Sequence, residues 1–156
     1  MALLSVAHCA ACAFLPAYQP LPSFLSVDQN LDNRPYAASA EEPNLRNLLQ
    51  LTFGGQNAEA YWNFDGTKIT FQTRQPAYPD EQIFTMNADG SNKTLQSTGV
   101  GRCTCSYFTP DNQWIYFSAT HDYDRGAQKP IDMSKGYVWM VNPWFAMYRT
   151  KPGSGE

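Results

Sequence analysis

The chain has 156 residues, of which 43% are hydrophobic, 14% aromatic and only 16% charged, a balance that excludes a disordered or coiled-coil chain and fits one aromatic-rich β domain. Its net charge of -3, with 11 Lys and Arg residues scattered along the length, supplies no basic field for phosphates, so nucleic acid is not an expected partner.

Residues 1–26 open with MALLSVAHCAACAFLPA, an apolar run of signal-peptide length ending in small residues, which implies export to the periplasm or another extracytoplasmic space. No Lys or Arg precedes Arg34 and His8 interrupts the run, so a mis-assigned start codon is the alternative. The sequence Cys9-Ala10-Ala11-Cys12 partly matches a lipoprotein cleavage box but lacks its leucine. Pro16, Pro20 and Pro22 cut the run too short for a transmembrane helix. Residues 27–44 are rich in Pro, Ala and Asn without sustained periodicity and read as a linker.

From residue 45 short alternating runs follow one another, separated by turn chemistry. They predict strands at 48–53, 58–62, 68–73, 82–86 and 94–98, an outer strand and a first four-stranded unit within 45–99. Asn63-Phe64-Asp65-Gly66 and Asn87-Ala88-Asp89-Gly90 lie between runs as hairpin turns, since Gly accepts positive φ and Asp bonds its own backbone. Asp65, Asp89 and Asp111 are therefore assigned to turns rather than to catalysis or metal. Residues 100–156 form a second, incomplete unit with strands at 114–118 and 145–150, separated by a long inserted loop at 121–144. Gly54-Gly55 and Gly99-Val100-Gly101 precede strands rather than helices and are turns, not phosphate cradles.

The two units repeat. AYWNFDGTKITFQTR from Ala60 aligns with SYFTPDNQWIYFSAT from Ser106, placing Tyr61 over Tyr107 at an offset of 107 − 61 = 46. A period of about 40–50 residues holding four short strands is that of a propeller blade, whose sheet must stack on neighbours to bury both faces. The fold class expected is all-β: an incomplete β-propeller with about one complete antiparallel blade and most of a second.

Chemistry is sparse. No GxSxG elbow occurs, the only histidines are His8 and His121, and no serine is placed to partner His121, so no catalytic residue is assigned. No HxH, HExxH or paired CxxC spacing supports a metal, and no cofactor is expected. Cys103 and Cys105, on one face of one strand, are read as packed free thiols, with a metal site or an intermolecular bridge as the alternatives. The binding surface is sought where the innermost strands begin and on the inserted loop. Its candidates are Asn57, Glu59, Arg102, His121, Tyr123, Trp139 and Trp144, with Gln56, Thr104, Arg125, Lys129 and Tyr137 nearby. Glu59, aligned with Thr104, has a second reading as the ion-pair partner of Arg102. His121 is expected to be solvated or hydrogen-bonded, and Tyr61, Trp62, Tyr107 and Phe108 to pack in the core or between blades.

LLQLTFGGQNAEAYWNFDGTKITFQTR followed by QIFTMNADGSNKTL resembles the WD40-like repeat of TolB-like propellers over about residues 45–154. GRCTCSYFTPDNQWIYFSATH, with an insertion ending in KGYVW, is similar to exported bacterial members with a lengthened loop in the second blade. The resemblance implies a ring of about six blades, further blades being supplied by a longer chain of which this is an N-terminal portion. It implies a non-catalytic scaffold binding a protein or peptide partner in the cell envelope, as in the Tol-Pal system. The alternative is the substrate-gating propeller of a prolyl oligopeptidase-like serine hydrolase whose catalytic domain is absent here.

Overall fold

The computed structural model describes residues 34–35, 39–138 and 141–153. The signal-like segment with His8, Cys9 and Cys12, most of the linker, and Trp139 lie outside the described residues. Among the described residues the protein is all-β and antiparallel, without a helix, and no helix there is long and apolar enough to cross a membrane.

The chain divides at Gly54 into two compact units. In the first, β1 (Arg34–Pro35) pairs with β2 (Leu49–Gln50). The strand expected at 48–53 thus shrinks to a short partner of a linker segment, entered through Asn47 at φ 53°. Pro35 is compatible with such a ribbon because an edge strand tolerates a missing N–H.

The second unit holds two sheets. In the first sheet β3 (Gln56–Trp62), β4 (Lys68–Arg74), β5 (Gln82–Asn87) and β6 (Thr94–Leu95) lie in chain order. The second consists of β7 (Cys103–Phe108), β8 (Ile115–Ala119) and β9 (Ala146–Thr150). The strand expected at 94–98 stops after Leu95 because the next two amides, of Gln96 and Ser97, both turn onto the Ile83 carbonyl at 2.8 and 3.4 Å.

Pleating sorts the first sheet into two faces. Phe71 opposite Phe84 and Ile69 opposite Met86 form an apolar face, all four buried. The other face carries Thr70, Gln72, Ile83 and Thr85, and against it lies β7, in contact with β3, β4 and β5. Ile83 joins Cys103, Phe108, Ile115, Phe117 and Ala119 in one core cluster, with Tyr148 packed on it. Burying its Ile and Phe side chains stabilises by about 1.5–3 kcal/mol each.

The seam between the sheets is polar as well as apolar. Thr70 and Ser106, both fully buried, bring their hydroxyls to 2.7 Å. Gln72 Oε1 accepts from the Thr104 hydroxyl at 2.6 Å and the Cys105 amide at 3.1 Å, while Gln82 Nε2 donates to the Gly101 carbonyl at 2.8 Å. At one end Asn112 clamps the two hairpin turns, accepting from the Phe64 amide at 2.9 Å and donating to Asp65 at 3.1 Å.

Several backbone irregularities recur at the spacing of the sequence alignment. The β3–β4 register slips between Ala58 and Tyr61 and the β7–β8 register between Thr104 and Tyr107. Glu59 and Cys105 within those bulges take φ of 51° and 54°, and Gly66 and Asn112 in the following turns take 73° and 57°. Gly55 and Gly101 both have positive φ, and a Cβ on either would stand 2.7 Å from a backbone carbonyl oxygen. Glu59 therefore corresponds to Cys105, as the offset of 46 between the two units gives, and not to Thr104. The bulge also corrects the cysteines. Both are free, but the inserted residue breaks the alternation, so Cys103 is buried and Cys105 exposed instead of sharing a face.

Candidate functional site

The exposed surface of interest begins on β3, where every residue from Gln56 to Tyr61 is exposed. Asn57 stands opposite Thr73 in this strand. Glu59, turned out by its positive φ, accepts a hydrogen bond from the Tyr61 hydroxyl. That bond, with burial and the Glu59 charge behind it, pushes the Tyr61 phenol up to about 12. The Tyr61 ring meets the Tyr107 ring of the other sheet at 5.1 Å and 51°. The two tyrosines do pack between sheets, but at 36% and 51% exposure they are surface rather than core, because the bulges rotate them outward. Phe108 is buried and Trp62 half-buried, as expected. Cys105 lies exposed beside Tyr61 and Tyr107, its neighbour Thr104 being held by Gln72.

Arg102 does not pair with Glu59. Its Nε lies 2.7 Å from Glu81 Oε2, and the Arg102 backbone exchanges bonds with Thr120 at 3.0 and 3.1 Å. Glu59 is drawn instead to the tyrosine two residues on, while Glu81 leads into β5 directly against β7, its carbonyl accepting from the Cys103 amide at 2.8 Å. Burial pushes the Glu81 carboxyl up, its neighbour Asp80 adds to this, and Arg102 opposes it. Asp80, itself buried, accepts from the Gln128 amide at 3.1 Å and stands 4.0 Å from Arg74 Nε, so this polar cluster ties the inserted loop to the first sheet.

The loop 121–144 contributes the second part of the surface. Tyr123 and Trp144 come from its two ends and stack at 5.8 Å and 22°, with 67% and 51% of their surfaces exposed. Gln128 donates to Asp124 at 2.8 Å and accepts from Asn142 at 2.6 Å, bracing the loop internally. His121, expected to be solvated or bonded, is instead buried against Tyr148, whose ring lies 4.0 Å away, and its Nδ1 has no hydrogen-bond partner. The two rings meet at a tilt of 40°. The Tyr148 hydroxyl donates to Asp122 at 2.9 Å, and burial with this bond pushes the phenol up to about 12.

Arg102 and His121 thus sit at one end of the second sheet with Tyr123 and Trp144 on the loop beyond, while Asn57 and Glu59 belong to β3 with the tyrosine pair. Sequence reasoning missed the exposure of Tyr61 and Tyr107, the Glu81 partner of Arg102 and the Tyr148 platform. The one available signal was the shared position of the two tyrosines in the aligned units. Among the described residues no group of three His, Cys, Asp or Glu side chains is arranged to hold a metal ion. A small recess of about 100 Å³, among whose lining residues are Lys68, Thr85, Thr94, Gln96, Pro152 and Gly153, lies apart from all these residues.

No protein-family model matches this chain, and no curated protein matches it either.

Proposed function

We propose that the two stacked sheets are successive blades of a TolB-like propeller and that the chain is a non-catalytic scaffold for an extended peptide or protein partner in the cell envelope. The observation that supports this reading most strongly is the recurrence of one set of backbone irregularities, bulge, outward tyrosine and positive-φ turn, in two sheets that pack face to face. Recurrence of strained positions costs stability twice, which is explicable if each sheet is built to one plan. The binding surface consists of the Tyr61–Tyr107 pair with Glu59 and Asn57, and of the Tyr123–Trp144 stack with Arg102 and His121 at its base. Amphipathic aromatic rings held by a rigid sheet are the side chains that most often dominate partner binding.

A phage-displayed library of random 12-residue peptides, selected on the full chain, tests this. Enriched peptides are expected to lose about tenfold in affinity against Tyr107→Ala or Trp144→Ala. Failure to enrich any sequence, or binding by both variants as tight as by the parent, refutes the surface assignment.

A further inference from the structure

The root of the inserted loop contains a buried polar atom without a partner. His121 is 8% exposed, its ring 4.0 Å from Tyr148 and 6.4 Å from Phe117, and its Nδ1 makes no hydrogen bond. Nε2 stands 3.9 Å from Asp122 Oδ1, beyond hydrogen-bond reach, while the other Asp122 oxygen is taken by the Tyr148 hydroxyl. The charged groups facing the ring are Asp122 and Arg125, the latter donating to the His121 carbonyl at 3.3 Å. The other titratable groups around it are Tyr148 on β9 and, acting on Tyr148, Tyr123 of the loop and Cys103 of β7. Asp124 completes the turn by accepting, through its carbonyl, from the Thr120 hydroxyl at 2.7 Å.

A neutral imidazole tolerates a bare lone pair at Nδ1, but an imidazolium carries an N–H there, and a buried charged donor without an acceptor is strongly disfavoured. Protonation therefore favours conformations in which the ring leaves Tyr148 for water. That movement also carries off Asp122, whose bond to Tyr148 is the adjacent fastening.

We infer that His121 is an acid-sensitive latch at the root of the 121–144 loop, closed while its imidazole is neutral and opening as it is protonated. The device does not depend on what the loop binds. Burial lowers the His121 pKa, Asp122 raises it in part and Arg125 lowers it further. A group that binds protons more weakly in the closed form than in the open one favours closure at high pH. The closed form accordingly loses ground as pH falls below about 6.5, and continues to do so until the closed-state pKa is passed.

Hydrogen exchange of the full chain, compared at about pH 7.5 and about pH 5 after correction for intrinsic rates, reads the latch directly. Amides 121–125 are expected to lose about tenfold in protection at the lower pH relative to those of β8, and His121→Phe, which keeps the aromatic contact without titrating, to abolish the response. Equal protection at both values, or an undiminished response in His121→Phe, overturns the inference. If that variant does not fold, the wild-type proton resonances decide: the Tyr148 ring must titrate with the midpoint of His121, and separate midpoints overturn the latch. Because exchange is read without any peptide, this outcome is independent of the binding reading.

Discussion

Removing the Thr70 hydroxyl tests the seam between the sheets more directly than any change to the apolar core. Thr70 lies within 2.7 Å of Ser106 Oγ and 3.4 Å of the Phe84 carbonyl, and both hydroxyl residues are fully buried. The arrangement that satisfies both has Thr70 donating to Phe84 and accepting from Ser106. Thr70→Val keeps the shape but strands the Ser106 donor and deprives the carbonyl, so it is expected to cost about 2 kcal/mol. Ser106→Ala removes one donor while Thr70 keeps its carbonyl, and is expected to cost about 1 kcal/mol. In the double variant two methyl groups meet and no hydroxyl is left unpaired, so the pair is expected to cost about 2 kcal/mol, a coupling of about 1 kcal/mol. Urea denaturation of the four proteins measures this. Each kcal/mol also corresponds to about 4–8 °C in Tm for a unit of this size. Strict additivity, or a Thr70→Val variant as stable as the parent, would refute the claim that these sheets are joined through buried hydroxyls.

Gly101→Ala is expected to destabilise by more than about 2 kcal/mol, since its Cβ would meet the Asp124 carbonyl at 2.7 Å and Thr120 Oγ1 at 2.8 Å. Gly66→Ala, with open space around it, should cost only the backbone penalty of about 1 kcal/mol, and equal losses in thermal melts would discredit the close approach. Native-state alkylation at neutral pH should label Cys105 and spare Cys103, whose thiol is buried and pushed up to about 11, as mapped by peptide mass spectrometry. Replacing Glu59 by Gln should bring the Tyr61 phenol down from about 12 towards the ordinary tyrosine range, visible in ultraviolet titration. Turn carboxylates set the acid limb. Asp65, Asp89 and Asp111 are held low first by the hydroxyls of Thr67, Ser91 and Thr109 and then by backbone amides. Their contribution is complete above the unfolded carboxylate value of about 3.9 and is lost as pH falls towards their folded values, so replacing all three by Asn should flatten stability against pH in that window.

The strands were legible because each is marked by its own local pattern. Alternation and the Asp-Gly turns locate β3, β4, β5, β8 and β9 to within a residue or two, since period-two patterning and turn chemistry are local properties. Exposure along β3 and β7 was not legible. A bulge is a one-residue error in pairing, and nothing in Glu59 or Cys105 as residue types demands positive φ, so the exposure of the tyrosines and of the second cysteine was not foreseen. The Arg102–Glu81 pair was hidden for another reason: the 75–81 connection brings Glu81 against β7 only after the sheets stack. His121 shows the same limit, because its platform, Tyr148, is 27 positions away (148 − 121 = 27) across the inserted loop. Periodicity reads the faces of one strand well, and long-range partners of single polar residues hardly at all.

The bonds that Thr70, Gln72 and Gln82 make to the neighbouring sheet have a consequence for assembly. Methyl groups attract equally at many rotations and would let one layer glide on the next. Donors and acceptors at fixed positions admit a single crossing angle and a single neighbour, since any other seating leaves several of them dry and unmatched. Such a contact works as a key, trading some adhesive strength for the exclusion of wrong orders when similar layers compete for the same place.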